Sequence, residues 1–267
     1  MNLREIITDA IKYPITDTRK FLIFCILIII MSLSTILPSY GFKNNTLTMI
    51  LSVITLIISF IILGYLIEVI KSGTAVDNTL PEFDYVKQFV IGVKTLILDI
   101  IYFIIPLIIT LIFASASGLF TSLTKIIYAS INAIDNGASN FTMIIATIPK
   151  STMNTFTNGL TVTLIVAIIL FFIFSLMLFT GLVRFAKYER GTEGLRFREI
   201  LKDMSNIGVV KIIITLIVIY IIAFLLTLII GLIGLIPYIG VFICIFIGIP
   251  FILLFLHRAI GLLYANA

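Results

Sequence analysis

The chain has 267 residues, of which 61% are hydrophobic and 12% are charged, and its mean hydropathy is +1.25. Soluble domains are about half apolar and about a quarter charged, so this composition excludes a soluble domain and predicts a polytopic membrane protein. The net charge of +5 comes from side chains that cluster beside apolar runs, which favours contact with a membrane surface over contact with nucleic acid.

The first predicted element is an amphipathic helix at about residues 3–13 that lies on the membrane surface. Apolar residues recur there at helical spacing, with charged residues on the opposite face. Pro14 ends the helix. The apolar run that follows is too long for the core of a signal peptide and has no small-residue cleavage site after it, so it is expected to remain as a span.

Six apolar runs are each close to the roughly 20 residues that a helix needs to cross the hydrocarbon. They lie at about residues 21–38, 47–70, 89–114, 161–185, 209–234 and 238–256. Pro106 predicts a kink in the third span, and Pro237 predicts a break before the sixth. Further surface helices are predicted at about residues 82–88, 117–134 and 196–206. The predicted fold class is therefore an all-α, six-helix membrane bundle in a single domain over residues 1–267.

The most basic stretch of the chain lies between the fourth and fifth spans. It carries seven of the eighteen Lys and Arg residues: Arg184, Lys187, Arg190, Arg196, Arg198, Lys202 and Lys211. Basic loops beside membrane spans stay in the cytoplasm. With six spans, fifteen of the eighteen basic residues fall on the side of this stretch and three on the other. The pattern predicts a plasma-membrane protein with both termini in the cytoplasm.

An internal echo suggests a repeat of three hairpins. Residues 4–9 read Arg-Glu-Ile-Ile-Thr-Asp, and residues 198–203 read Arg-Glu-Ile-Leu-Lys-Asp. Gly64, Gly181 and Gly261 each lie near the cytoplasmic end of an even-numbered span. Two explanations stay open: homologous hairpins, which often build a site at their interface, or matches that arise by chance in a chain rich in Ile, Leu and Phe.

Asp99 is the candidate functional residue within the membrane. It lies about ten residues into the third span, where a charge is costly and marks a functional hypothesis. The alternative is a carboxyl with a structural role, which is protonated, bonded to a neighbouring helix, or interfacial because the span starts later. His257 has no ligand-like neighbours and reads as an interfacial side chain. The sequence carries no catalytic or phosphate-binding motif that we could identify, so neither an enzyme nor a metal or other cofactor is predicted.

Several segments together resemble a known family. They are Lys12-Tyr13-Pro14 with Asp17, Gly64-Tyr65, Leu80-Pro81-Glu82-Phe83-Asp84, Ile101-Tyr102 with Pro106, Phe197-Arg198-Glu199-Ile200-Leu201, and residues 258–265. The resemblance is to domain of unknown function 4013, a family of prokaryotic, mostly archaeal membrane proteins. Glu68 departs from it, because a basic residue is expected there. The resemblance implies the six-span architecture and supplies no activity and no catalytic residues.

The expected function is that of a non-enzymatic component that organises the membrane or interacts with lipid. Its surface helices and basic stretch would contact anionic headgroups or a cytoplasmic partner. The alternative is a transporter of a small solute or lipid, with Asp99 in its translocation site. The sequence does not identify a ligand, a protein partner or an oligomeric state. The sequons at Asn44 and Asn140 have a meaning that depends on the host.

Overall fold

The computed structural model describes residues 1–42, 44–236 and 239–265. Within these residues the regular secondary structure is helical, and no β-strand occurs. The helices are α1 (Leu3–Lys12), α2 (Thr18–Ser39), α3 (Asn45–Thr74), α4 (Tyr85–Ala116), α5 (Leu119–Asp135), α6 (Phe141–Thr147), α7 (Lys150–Tyr188), α8 (Phe197–Ile207), α9 (Val209–Gly234) and α10 (Ile239–Leu263). Helix α10 contains a π-helical turn at Cys244–Gly248.

Among the described residues, six helices are long and apolar enough to cross a membrane: α2, α3, α4, α7, α9 and α10. Their most apolar windows have mean hydropathies between 2.7 and 3.2. A helix satisfies its own backbone hydrogen bonds, which is what a segment in hydrocarbon requires. The chain is therefore a multi-pass, all-α membrane protein, and the fold class predicted from its sequence is confirmed.

Several boundaries differ from those expected from hydropathy. Helix α7 begins at Lys150 rather than near residue 161, since the polar stretch before the apolar run is itself helical. The hydroxyls of Thr155, Thr157 and Thr161 each donate to a carbonyl of the preceding turn, so they are satisfied within the helix. No separate surface helix forms at 82–88, because residues 85–88 are the first turn of α4. Pro237 and Tyr238, where a break and the start of the sixth span are predicted, lie outside the described residues, as does Lys43.

The N-terminal surface helix is fixed by caps at its start and by a turn at its end. The Asn2 side chain accepts from the Glu5 backbone N–H at 2.9 Å, and the Glu5 carboxylate accepts from the Asn2 N–H at 2.9 Å. This reciprocal pair satisfies two donors that a helix start leaves open. A short 3₁₀ turn, Tyr13–Ile15, follows α1. Asp17 then caps α2, and its hydrogen bond from the Lys20 backbone N–H lowers the pKa of the Asp17 carboxyl.

The chain divides into two compact units, and the single domain expected over residues 1–267 stays a prediction. Unit 1 comprises residues 1–99 and 177–267, and unit 2 comprises residues 100–176. The boundaries fall inside α4 and α7, so no loop or change of composition marks them. In unit 1, helix α3 packs on α2 and α10, α1 packs on α10, and α8 packs on α9.

The core of unit 1 is a cluster of apolar and aromatic side chains between α2, α3 and α10. Its buried members are Tyr13, Phe24, Ile28, Ile58, Ile62, Tyr65, Leu66, Val69, Leu80 and Leu254. Two glycines let α3 and α10 approach closely, since a methyl group on Gly73 would lie 2.8 Å from the Cα of Gly261. Small residues at such crossings are how helices pack in a membrane.

Unit 2 consists of the second part of α4, helices α5 and α6, and the first part of α7. Gly118 lies between α4 and α5 with φ +72, a left-handed backbone that glycine adopts without strain. Helices α5 and α6 pack on each other. Phe103 of α4 and Phe171 of α7 lie with their ring centroids 6.2 Å apart.

Candidate functional site at the charged end of unit 1

The most deeply buried charge in unit 1 is Arg258 of α10, which is fully buried. Its Nε donates to the Asp9 carboxylate at 2.7 Å. Its Nη1 donates to the Asp77 carbonyl at 2.5 Å, and its Nη2 donates to the Asn78 side-chain oxygen at 2.9 Å. The guanidinium also lies over the Tyr13 ring, 4.4 Å from the ring centroid. One side chain thus joins α1, α10 and the loop after α3.

The hydroxyl of Tyr13 links the same arrangement to the end of α3 and to the loop that follows it. Its hydroxyl lies 2.6 Å from the Ser72 hydroxyl and donates to the Thr79 carbonyl at 3.0 Å. Burial raises the pKa of Tyr13 to about 12, so the phenol stays neutral and keeps its proton to donate. The loop after α3 is further shaped by Asp77, whose pKa is lowered by hydrogen bonds from the Thr79 backbone N–H and hydroxyl.

The Leu-Pro-Glu-Phe-Asp segment at 80–84 folds directly onto this end of the bundle. Leu80 is buried in the core, and its carbonyl accepts from Lys20 Nζ at 2.7 Å. Lys20 also pairs with Glu82 at 2.7 Å. Phe83 stacks on Tyr65, with centroids 4.4 Å apart and planes 7° from parallel. The segment therefore fixes the loop against α2 and α3.

A second network joins the end of α3 to the first turn of α4. Glu68 accepts from Gln88 Nε2 at 2.7 Å and pairs with Lys87 at 2.9 Å. Lys71 pairs with Glu189, beyond the end of α7, at 2.6 Å. The Lys71 ammonium lowers the pKa of the Glu189 carboxyl. Glu68 is therefore an ion-pair partner in this structure.

A cleft of about 350 Å³ opens beside this network. Its charged lining consists of Glu68, Lys71, Asp77, Glu82, Asp84 and Lys87. Four of these groups are acidic and two are basic. Glu68 pairs with Lys87 across the lining, whereas Glu82 and Lys71 pair with Lys20 and Glu189 outside it. The cleft is a mixed-charge surface rather than a site of one sign.

Arg184 of α7 is the second buried arginine, with 8% of its surface exposed. Its Nη1 donates to Asp203 of α8 at 2.5 Å, and its Nη2 donates to Glu193 at 3.0 Å. Glu193 also forms an ion pair with Arg196, with 2.9 Å between Oε1 and Nη1. A small cavity of about 40 Å³ lies beside the guanidinium. Arg184 therefore holds α8 and the turn before it against the end of α7.

The two buried arginines give the sequence echo a structural meaning. Asp9 and Asp203 are the last residues of the two echoed segments, and each binds a buried arginine near the end of an apolar helix. Helices α1 and α8 are thus attached to unit 1 in the same way. Whether the hairpins are homologous stays a prediction.

The other residues of the basic stretch point outward. Lys187, Arg190, Arg196, Arg198, Lys202 and Lys211 are all exposed. Arg184 differs from them because it is buried and paired, a difference that could not be read from the sequence. The structure therefore divides the seven predicted contact residues into one internal and six surface side chains.

Asp99 lies partly buried in α4. Among the described residues, no hydrogen bond or ion pair to its carboxylate is recorded. His257 is also partly buried, and its Nδ1 lies 2.7 Å from the Leu253 carbonyl. No group of three or more His, Cys, Asp or Glu side chains within the described ranges could hold a metal ion.

Sequence reasoning missed the role of Arg258, which it placed only as the end of the sixth span. A signal was present, because an arginine directly after a long apolar run is expected to be paired or to reach the interface. Its partners were not readable, since Asp9, Asp77 and Asn78 are more than 170 positions away.

A family model described as "Protein of unknown function (DUF4013)" matches residues 47–235. The matched range contains the Leu80–Asp84 segment, Arg184 and the basic stretch, and it excludes Asp9 and Arg258. No curated protein and no solved structure matches the chain.

Proposed function

Because the chain belongs to the DUF4013 family of proteins of unknown function and is a multi-pass membrane protein, we propose that it organises the membrane by binding anionic lipid headgroups. The binding surface would be the six exposed cations of the basic stretch, which we call the basic surface: Lys187, Arg190, Arg196, Arg198, Lys202 and Lys211. The proposed role involves no chemical turnover, and it places the basic surface at the cytoplasmic leaflet of the plasma membrane.

The observation that carries this proposal is how three of the four acidic residues of the same stretch are paired. Glu193 is buried and Asp203 is partly buried, and both bind Arg184. Glu189 pairs with lysines from other elements. These carboxylates are therefore turned inward or already neutralised, while the cations remain exposed. The outward field of the stretch is more positive than its composition suggests.

Apolar side chains beside these cations support contact with a bilayer. Lys211 is the third residue of α9, a helix with a mean hydropathy of 3.2 over its most apolar window. Leu201 of α8 is 53% exposed and Val210 is 70% exposed. Cations next to exposed apolar residues at the end of a spanning helix suit the headgroup region, where long side chains reach the phosphates.

The test compares lipid affinity in a matched pair of variants. Each Lys or Arg near an anionic surface contributes about 1 kcal/mol. Arg198→Gln, Lys202→Gln and Lys211→Gln combined should therefore weaken binding of phosphatidylglycerol by roughly 100-fold. Binding is measured by native mass spectrometry of the delipidated protein, with phosphatidylcholine as the neutral reference.

The control neutralises Lys150 instead, an exposed lysine that lies outside the basic surface. We expect Lys150→Gln to keep most of the preference for phosphatidylglycerol. The preference of the wild type should also weaken as salt rises, because exposed charges are screened. Equal affinity for both lipids in the wild type, or equal losses in the two variants, would refute the proposal.

The proposed orientation is tested by cysteine labelling. In a variant without Cys25 and Cys244, Arg196→Cys should react with an impermeant maleimide only from the cytoplasmic side of the cell membrane. Thr142→Cys should react only from the outside. Labelling of Arg196→Cys from outside would overturn the orientation and the leaflet assigned to the basic surface.

The alternative function is transport of a small solute or lipid through a site that contains Asp99. A partly buried carboxylate without a recorded partner among the described residues is the observation that favours it. A solute that raises the melting temperature of the wild type but not of Asp99→Asn would support transport. If only anionic lipids stabilise the two proteins, and do so equally, a translocation role for Asp99 is excluded.

A further inference from the structure

We propose that a groove in unit 2 binds a phosphate group carried by a small organic molecule or by a lipid. The groove lies between α5, α6 and the start of α7 and has a volume of about 650 Å³. This volume falls in the range of roughly 300–1,000 Å³ that small-molecule sites occupy. The proposal concerns a different unit from the basic surface and does not depend on it.

The first argument concerns which residues of α5 are exposed and which line the groove. The large apolar side chains of α5 are exposed on the outside: Phe120, Leu123, Ile127, Ile131 and Ile134. Small and polar residues of α5, together with Asn136 directly after it, line the groove instead: Lys125, Ala129, Asn132, Ala133 and Asn136. Lys125, Asn132 and Asn136 are also exposed, so a ligand can reach the polar side of the groove from outside.

The chemistry of the lining is the second argument. Lys125 is the one ionisable residue among the described lining, and no carboxylate of the described chain forms an ion pair with it. Asn132, Asn136, Thr147 and Thr152 add amide and hydroxyl donors around it. A phosphate presents several strong acceptor oxygens and a negative charge, which matches one ammonium group surrounded by neutral donors.

The shape of the surroundings indicates what else the molecule carries. A phosphate ion alone would fill only a small part of 650 Å³, so the ligand has a further organic part. Met143 of α6 lines the groove and is 51% exposed. Phe141 and Ile145 of the same helix are exposed beside it. An acyl chain could lie along these side chains, which makes a phospholipid headgroup one source and a soluble phosphate ester the other.

The chain contains no tryptophan, so a single introduced tryptophan reports fluorescence from the groove alone. Met143→Trp places one indole at the lining of the groove. The purified protein in a neutral detergent is titrated with oleoyl lysophosphatidic acid, with glycerol 3-phosphate, and with monooleoylglycerol as the lipid that lacks phosphate. Thr147→Trp, also in the lining, serves as the reporter if Met143→Trp lowers the melting temperature.

We expect a saturable change in tryptophan emission with at least one of the phosphate compounds. In the reporter protein, Lys125→Gln should weaken that binding about tenfold or more, as loss of a charge-assisted hydrogen bond does. Lys150→Gln is the matched control, because Lys150 is exposed and does not line the groove. It should leave the affinity within about twofold of the reporter protein.

The pattern of binding separates the two sources of phosphate. Binding of lysophosphatidic acid alone assigns the groove to a lipid headgroup, and equal affinity for glycerol 3-phosphate assigns it to a soluble ester. Ala129→Leu, which narrows the groove without changing its charge, should weaken either ligand. The proposal is overturned if neither phosphate compound changes the emission more than monooleoylglycerol does, or if Lys125→Gln binds as tightly as Lys150→Gln.

Discussion

Replacing Arg258 by methionine tests the contact that joins the first and last helices of unit 1. The change removes the guanidinium and keeps a long side chain of similar reach. It leaves the Asp9 carboxylate without its cation and removes the donors that bind the Asp77 carbonyl and the Asn78 side chain. We expect the loop after α3 and helix α1 to detach from α10 first.

The expected loss of unfolding free energy depends on how well water can replace the lost hydrogen bonds. Breaking one partner of a buried ion pair costs about 3–5 kcal/mol of unfolding free energy. Here the Asp9 side chain keeps 22% of its surface exposed, and Asp77 and Asn78, the loop residues that Arg258 binds, are exposed as well. Water can therefore reach the abandoned groups in part, so we expect the lower end of the range, about 3 kcal/mol.

The assay is the free energy of unfolding in detergent, followed by circular dichroism as sodium dodecyl sulfate is added. Arg198→Met is the matched control, because Arg198 is an exposed arginine, and it should change stability by less than about 0.5 kcal/mol. Asp9→Asn should cost clearly less in the Arg258→Met background than in the wild type, since the pair is already broken. A cost for Arg258→Met below about 1 kcal/mol, or additive costs for the two changes, would refute the role given to this arginine.

Two further predictions concern packing and pH. Gly261→Ala should lower the melting temperature because its methyl group would meet the backbone of α3. Gly231→Ala is the control and should not lower it, since nothing lies within 4 Å of that position. Equal melting temperatures of the two variants would contradict the close crossing. The pKa of Glu189 is lowered by Lys71, so this pair stabilises the fold above the ordinary pKa of a glutamate, and that stability is lost as the pH falls through the lowered value. The loss of unfolding free energy should be below about 1 kcal/mol because the pair is exposed. It should disappear in Glu189→Gln when unfolding is measured between pH 7 and pH 3. The same pH dependence in the wild type and the variant would contradict this prediction.

Local patterns in the sequence predicted the parts of the fold that depend on local physics. Long apolar runs identify spanning helices because lipid leaves the backbone no other partner, and so the six spans were readable. Helix α1 was readable from its periodicity, and α8 from the echo of residues 4–9 in residues 198–203. Polar stretches were misjudged where side chains bond their own helix, as in the first turns of α7.

Long-range pairing was not readable, because the sequence shows which charges exist but not which ones meet. Arg258 and Asp9 are 249 positions apart. Arg184 looked like any other cation of its stretch, although it is buried against Asp203 and Glu193. The groove of unit 2 could not be predicted either, because α5 has the periodicity of an ordinary surface helix. Only the fold brings residues of α6 and the start of α7 beside the polar residues of α5.

The measurement that tests the central claim most directly is a tryptophan reporter on the basic surface. Leu201→Trp introduces one indole into a tryptophan-free chain at an exposed position of α8, between Arg198 and Lys202. The protein is reconstituted in nanodiscs in which either phosphatidylglycerol or phosphatidylcholine carries brominated chains, at the same total composition. Stronger quenching by brominated phosphatidylglycerol, which fades as salt is raised, is the result that the account predicts. Equal quenching by the two brominated lipids at low salt would contradict it.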